Sequence, residues 1–244
     1  MKATPLLAFF FFLTACGGGG DRAATPAASG PALPVAPATA DPVSARLDSF
    51  RRLARAGDLV LRLGEDMVSY SIRYLSERDP SYSHVGLVLE KDGALQVAHI
   101  GPYAGGRDTL QSEPIDSFLS PAHNLAAGLY RFRISDTERA RFLGNVARYQ
   151  QRGVHFDYAY DLATNDKLYC SELIAKSLSP ATGNRLQFAA QPVPPSMKRL
   201  IGAYLAGTIG DSARIGTGRY IPLDELYRST VCDSILKISL RSNP

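Results

Sequence analysis

Tyr169-Cys170-Ser171-Glu172-Leu173-Ile174 puts a cysteine where an extended chain gives way to a helix. From Ser171 to Leu178 the apolar residues Ile174, Ala175 and Leu178 recur among polar ones and Pro180 follows, so a short half-buried helix closed by that proline is expected. Cys170 then occupies the first turn, at the positive end of the backbone dipole. That position favours thiolate, the form that attacks carbonyl carbon. Cys170 is therefore a candidate nucleophile, provided the chain brings it a base.

The segment from Ser83 to Ile100 supplies one. Ser83-His84-Val85-Gly86-Leu87-Val88-Leu89-Glu90 and Ala94-Leu95-Gln96-Val97-Ala98-His99-Ile100 read as two strands, and Asp92-Gly93 between them is a strong hairpin signal. A two-residue loop sets Lys91 against Ala94 and, by extension, His84 against Gly101 and Gly86 against His99. Cross-strand partners share a face, so His84 and His99 become diagonal neighbours within side-chain reach, and Gly86 leaves room for an imidazole.

Two such histidines suit a metal site or a base with its orienting partner. A metal would need a third ligand, for which Cys170 is available, but no Cys-x-x-Cys or His-Glu-x-x-His spacing supports it; neither metal nor cofactor is expected. In the other reading His84 takes the proton of Cys170, and His99 hydrogen-bonds the far nitrogen of His84 and fixes its tautomer. Taken alone, His84 reads more readily as a hydrogen-bonded core histidine and His99 as a cap on the hairpin face. His123 and His155 have no comparable context.

The first fifteen residues read as a targeting segment: Lys2, an apolar run from Leu6 to Leu13 containing Phe9 to Phe12, then Leu13-Thr14-Ala15-Cys16. The run is too short for a permanent membrane span. It resembles the signal peptide of bacterial lipoproteins, which is cut before the cysteine. That resemblance implies lipidation of Cys16, and Gly17 in place of Asp implies an outer-membrane anchor facing the periplasm. An ordinary secretory signal is the alternative. Residues 16–40, rich in Gly, Ala and Pro, cannot bury enough apolar surface to hold a fold and read as a disordered tether. Residues 41–244 then suit one domain.

Removing Lys2 with the targeting segment, from 27 basic residues against 23 acidic, leaves a net charge of about +3, and no Lys/Arg run points to nucleic acid. With Cys16 lipidated, Cys170 and Cys232 remain in an oxidising compartment, where a disulfide between them competes with the free nucleophile.

Within the domain, Asp41-Pro42 opens a helix with Val43, Leu47, Phe50 and Ala54 on one face. Gly57-Asp58 leads into a strand from Leu59 to Leu63, and a second helix is expected from Asp66 to Leu75. Residues 101–114 read as loop and Ile115 to Leu119 as a short helix. Leu129 to Ile134 alternates as a strand with Arg131 and Arg133 outward. Ser135-x-x-Glu138 is a capping box that starts a helix ending near Gly153. A further helix is expected around Met197 to Leu205, and a closing strand from Ser234 to Leu240.

The order Gly57-Asp58-Leu59-Val60, Ser83-His84-Val85-Gly86, Phe156-Asp157, Tyr169-Cys170-Ser171-Glu172-Leu173 and Tyr220-Ile221-Pro222-Leu223-Asp224-Glu225-Leu226 resembles the YiiX-like permuted papain-fold hydrolases of the NlpC-like superfamily. The resemblance runs from about Phe50 to Leu240, and its order, histidine before cysteine, is that of the circular permutation. It implies an α+β fold in which an antiparallel sheet packs against helices, one of them carrying the nucleophile. It also implies Cys170 as nucleophile, His84 as base and a polar residue on the next strand as orienter. Many members carry Glu there; this chain has His99. The implied activity is hydrolysis of an amide or ester through a thioacyl intermediate on an envelope substrate, most simply a cell-wall peptide. The alternatives are a lipid acyl hydrolase or acyltransferase, and a catalytically silent binding lipoprotein.

Overall fold

Along Leu59–Gly64 (β1) successive side chains point to opposite faces of the sheet, and both faces are covered. Leu59 and Leu61 enter one core and Val60 enters another. The computed structural model describes residues 41–102, 108–195, 198–199 and 218–241, and Ala40–Pro244 forms one compact unit. The targeting segment, the tether with Cys16 and nearly all of the helix expected around Met197 to Leu205 lie outside the described residues.

Pro42–Leu53 (α1) starts on the Asp41 carboxylate, which accepts from the Val43 N–H, and buries Val43 and Phe50. The helix expected to reach Leu75 is shorter: Met67–Ile72 (α2) tightens into a 3-10 turn at Arg73–Leu75. His84–Lys91 (β2) and Ala94–His99 (β3) form the expected hairpin. The register runs from Lys91 opposite Ala94 to Leu87 opposite Ala98, and Asp92 and Gly93 have φ of 53° and 74°. Gln111–Pro114 (β4) adds a strand where a loop is expected, pairing His99 with Gln111 and Val97 with Glu113. Ile115–Phe118 (α3) follows directly.

Asn124–Phe132 (β5) starts before Leu129 because it lies between β1 and Cys232–Ser239 (β10) and bonds to both. Arg131 does not point freely outward. It holds the fully buried Asp58 carboxylate through two nitrogens, at 2.6 and 2.7 Å. The Ser135–Glu138 capping box starts Asp136–Gln151 (α4). His155–Phe156 (β6) and Lys167–Leu168 (β7) pair in parallel just before Cys170–Ala181 (α5). Pro180 does not close α5: it sits in the last turn, and Gly183 and Asn184, both at positive φ, end the segment. Gln191–Pro192 (β8) pairs with Arg219–Tyr220 (β9), and Leu223–Tyr227 (α6) precedes β10.

The main sheet runs β10-β5-β1-β2-β3-β4, antiparallel throughout. Helices α4 and α5 cover one face through Phe142, Val146, Leu173, Ile174 and Leu178. Helices α1 and α3 cover the other through Val43, Phe50, Ile115 and Phe118. This is the expected α+β arrangement, with the cysteine at the start of a helix packed on the sheet.

Candidate active site

His84 is the first residue of β2 and His99 the last of β3. The hairpin register puts both on the sheet face covered by α3, and there His84 Nε2 lies 3.2 Å from His99 Nδ1. The Phe118 ring packs against both imidazoles, with centroids 5.8 and 4.9 Å away. Gly86 provides the space: a Cβ there would lie 2.3 Å from Val97 Cγ1 and 3.3 Å from His99 Cβ. His99 is fully buried, and its second nitrogen, Nε2, lies 2.9 Å from Glu113 Oε1.

Cys170 and His84 line one cleft, a small one of about 60 Å³. Its other walls are mostly apolar and aromatic, including Ile72, Leu75, Phe156, Tyr160 and Tyr220. The backbone N–H groups of Val85, Ser171 and Cys170 itself act on the sulfur in the direction that favours thiolate. Position thus comes from two elements meeting, the start of α5 and the start of β2. The residues on either side of the cysteine are tied down as well: the Ile221 N–H donates to the Tyr169 hydroxyl at 2.8 Å, and Ser171 Oγ donates to the Ile221 carbonyl at 2.7 Å. Asp224, fully buried, accepts from the N–H groups of Glu77, Arg78 and Asp79 at 3.2, 2.7 and 3.2 Å, pinning the chain that follows α2. Glu172 accepts from the Tyr169 N–H and lies 2.8 Å from Lys176.

The electrostatics differ from the sequence expectation. Burial pushes the Cys170 thiol up to about 11, outweighing the N–H groups that act on it, so the resting group is a neutral thiol rather than the thiolate expected at a helix start. Burial also holds His84 well below its ordinary value, and the Arg62 charge and His99 act in the same direction. His99 is lowered too, chiefly by burial, against the raising effect of Glu113. The pair at rest is thiol and neutral imidazole.

Cys170 and Cys232 are both free thiols, so the disulfide alternative does not hold in this structure. Among the described residues no three of His, Cys, Asp and Glu converge as a metal site would require. His84 and His99 face each other, and the second His99 nitrogen lies against Glu113. His155 makes a surface contact with Asp108 at 3.1 Å. Glu113 was not found from the sequence, because Gln111-Ser112-Glu113-Pro114 has no apolar alternation to mark it as a strand.

No family model matches the chain, and no curated protein does. Among solved structures, the chain resembles the crystal structure of metalloprotein yiiX from Escherichia coli O157:H7. The TM-score is 0.58 at 18% identity, covering 76% of this chain and 98% of that one. The fold is YiiX-like.

Proposed function

We propose that this chain is a cysteine hydrolase acting on an acyl bond, with Cys170 as nucleophile, His84 as base and His99 as the residue that orients His84. The observation that carries this reading is that Cys170 and His84 line one cleft while His84 is hydrogen-bonded to a buried His99. Since His84 Nε2 is engaged with His99, Nδ1 is the nitrogen left for the thiol. Cys170 starts as a neutral thiol, so His84 acts as a general base during attack on an amide or ester carbonyl. The imidazolium then protonates the leaving group, and water releases the acyl group from sulfur. The N–H groups of Val85 and Ser171 are the candidates for the oxyanion site.

The lining of the cleft favours an apolar acyl group. Among its described lining residues none is Asp, Glu, Lys or Arg, so the charged ends of a cell-wall peptide would find no partner there. A lipid or acylated envelope molecule suits the site better. The Leu13-Thr14-Ala15-Cys16 sequence supports lipidation at Cys16 and a periplasm-facing outer-membrane anchor, which would keep the enzyme beside such substrates.

A series of p-nitrophenyl esters from acetyl to octanoyl, set beside a cell-wall peptide amide, tests this proposal. With each buried methylene worth about 0.8 kcal/mol, kcat/KM rises at least about tenfold along the series. Absence of any turnover that depends on Cys170 removes the hydrolase. A preference for the peptide amide over every ester restores the cell-wall substrate.

A further inference from the structure

We infer that Glu113 is a positioning residue for the proposed base, setting the tautomers of both histidines so that His84 Nδ1 is left unprotonated for Cys170. The inference rests on the Cys170–His84 reading of the site.

The argument is an account of protons. Glu113 Oε1 lies 2.9 Å from His99 Nε2, an ion-pair contact not aligned as a hydrogen bond, and because a carboxylate only accepts, it favours the hydrogen of neutral His99 on Nε2. His99 Nδ1 is then a lone pair. It lies 3.2 Å from His84 Nε2, which must therefore donate. A neutral His84 with its hydrogen on Nε2 has a bare Nδ1, the nitrogen able to accept a proton. One carboxylate thus fixes two rings in series. When the thiol reacts, the S–H bond breaks as Nδ1–H forms, and the positive charge on His84 faces an ordered chain that ends in an anion.

The fold holds this chain of contacts in place. Val97 lies opposite Glu113 and His99 opposite Gln111, so Glu113 and His99 are diagonal neighbours on the face that also carries His84. His99 is fully buried beneath Phe118, and the His84 and Glu113 contacts engage its two ring nitrogens. The charged groups acting on the pair are Glu113 from β4 and Arg62, which stands opposite His84 on β1; α3 contributes the neutral Phe118 and α5 the thiol. Arg62 disfavours an imidazolium here, and Glu113 offsets it. Glu113 itself is held below the ordinary carboxylate range, chiefly by its contact with His99, so it is ionised at neutral pH.

The test uses the nitrogen-15-labelled protein as wild type, Glu113→Gln and Glu113→Leu. Long-range proton–nitrogen spectra report the tautomer of each ring, and hydrolysis of p-nitrophenyl butyrate is followed against pH. In wild type both histidines should carry their hydrogen on Nε2. Glu113→Leu should lose the single His99 tautomer, lower kcat about 10- to 100-fold with KM little changed, and move the acid limb of the profile to lower pH. Glu113→Gln, whose amide oxygen still accepts, should restore the tautomer and most of kcat while keeping the shifted limb. Wild-type His99 protonated on Nδ1 overturns the inference, as does Glu113→Leu with wild-type tautomers and profile. If the tautomers follow Glu113 but no Cys170-dependent turnover is found, the positioning stands and the hydrolase reading falls.

Discussion

His84 Nε2 and His99 Nδ1 lie 3.2 Å apart, reaching each other from adjacent strands beneath the ring of Phe118. Two imidazoles this close cannot both be protonated without repulsion, and burial already lowers both below the ordinary 6.5. Neutral histidines are therefore part of the folded state.

The first prediction concerns stability against pH. The unfolded chain takes up protons on these histidines near 6.5, whereas the folded chain resists them to lower pH. The unfolded state thus binds more protons, and stability present above 6.5 is lost as pH falls below it. Glu113, lowered in the fold, adds a loss at more acid pH. The melting temperature should fall between pH 7 and 5, and fall less in His84→Ala. A wild type that becomes more stable towards pH 5 would contradict this.

Gly86 is the second test. An added Cβ would meet Val97 Cγ1 at 2.3 Å, the Ala98 carbonyl at 3.0 Å and His99 Cβ at 3.3 Å. Val97 is fully buried and has little room to give. Gly86→Ala should destabilise by about 1–3 kcal/mol in urea unfolding and lower esterase activity by misaligning His99. Unchanged stability and rate would mean that the hairpin yields without moving the histidines.

Tyr169 is the third. Its buried hydroxyl accepts from the Ile221 N–H at 2.8 Å, joining the residue before the nucleophile to one wall of the cleft. Tyr169→Phe leaves that N–H without its acceptor and should cost about 1–3 kcal/mol, with a raised KM for longer esters. A KM that does not move with chain length would separate this clamp from substrate binding.

The hairpin was legible in the sequence because Asp92-Gly93 can take the positive φ values that a two-residue turn needs, and the register it sets brings His84 to His99. The start of α4 was legible for the same kind of reason, since Ser135 and Glu138 form a local cap. What depended on distant segments was not. The thiol is raised by burial in a cleft whose walls include Phe156, Tyr160, Tyr220 and Ile221, and a helix-start argument contains none of them. Arg131 read as an outward residue because Asp58, its buried partner, is remote in the chain. Glu113 lies in a strand that gains its identity only from pairing with β3.

The central claim is that Cys170 becomes acylated with His84 as its base. The direct measurement is peptide mapping by mass spectrometry after brief reaction with p-nitrophenyl butyrate and an acid quench, on wild type, His84→Ala and Cys170→Ala, each first shown to be folded. The account predicts a butyryl group on the Cys170 peptide in wild type, little or none in His84→Ala, and none in Cys170→Ala. Butyryl on Cys232 alone, or equal labelling of Cys170 with and without His84, would contradict it.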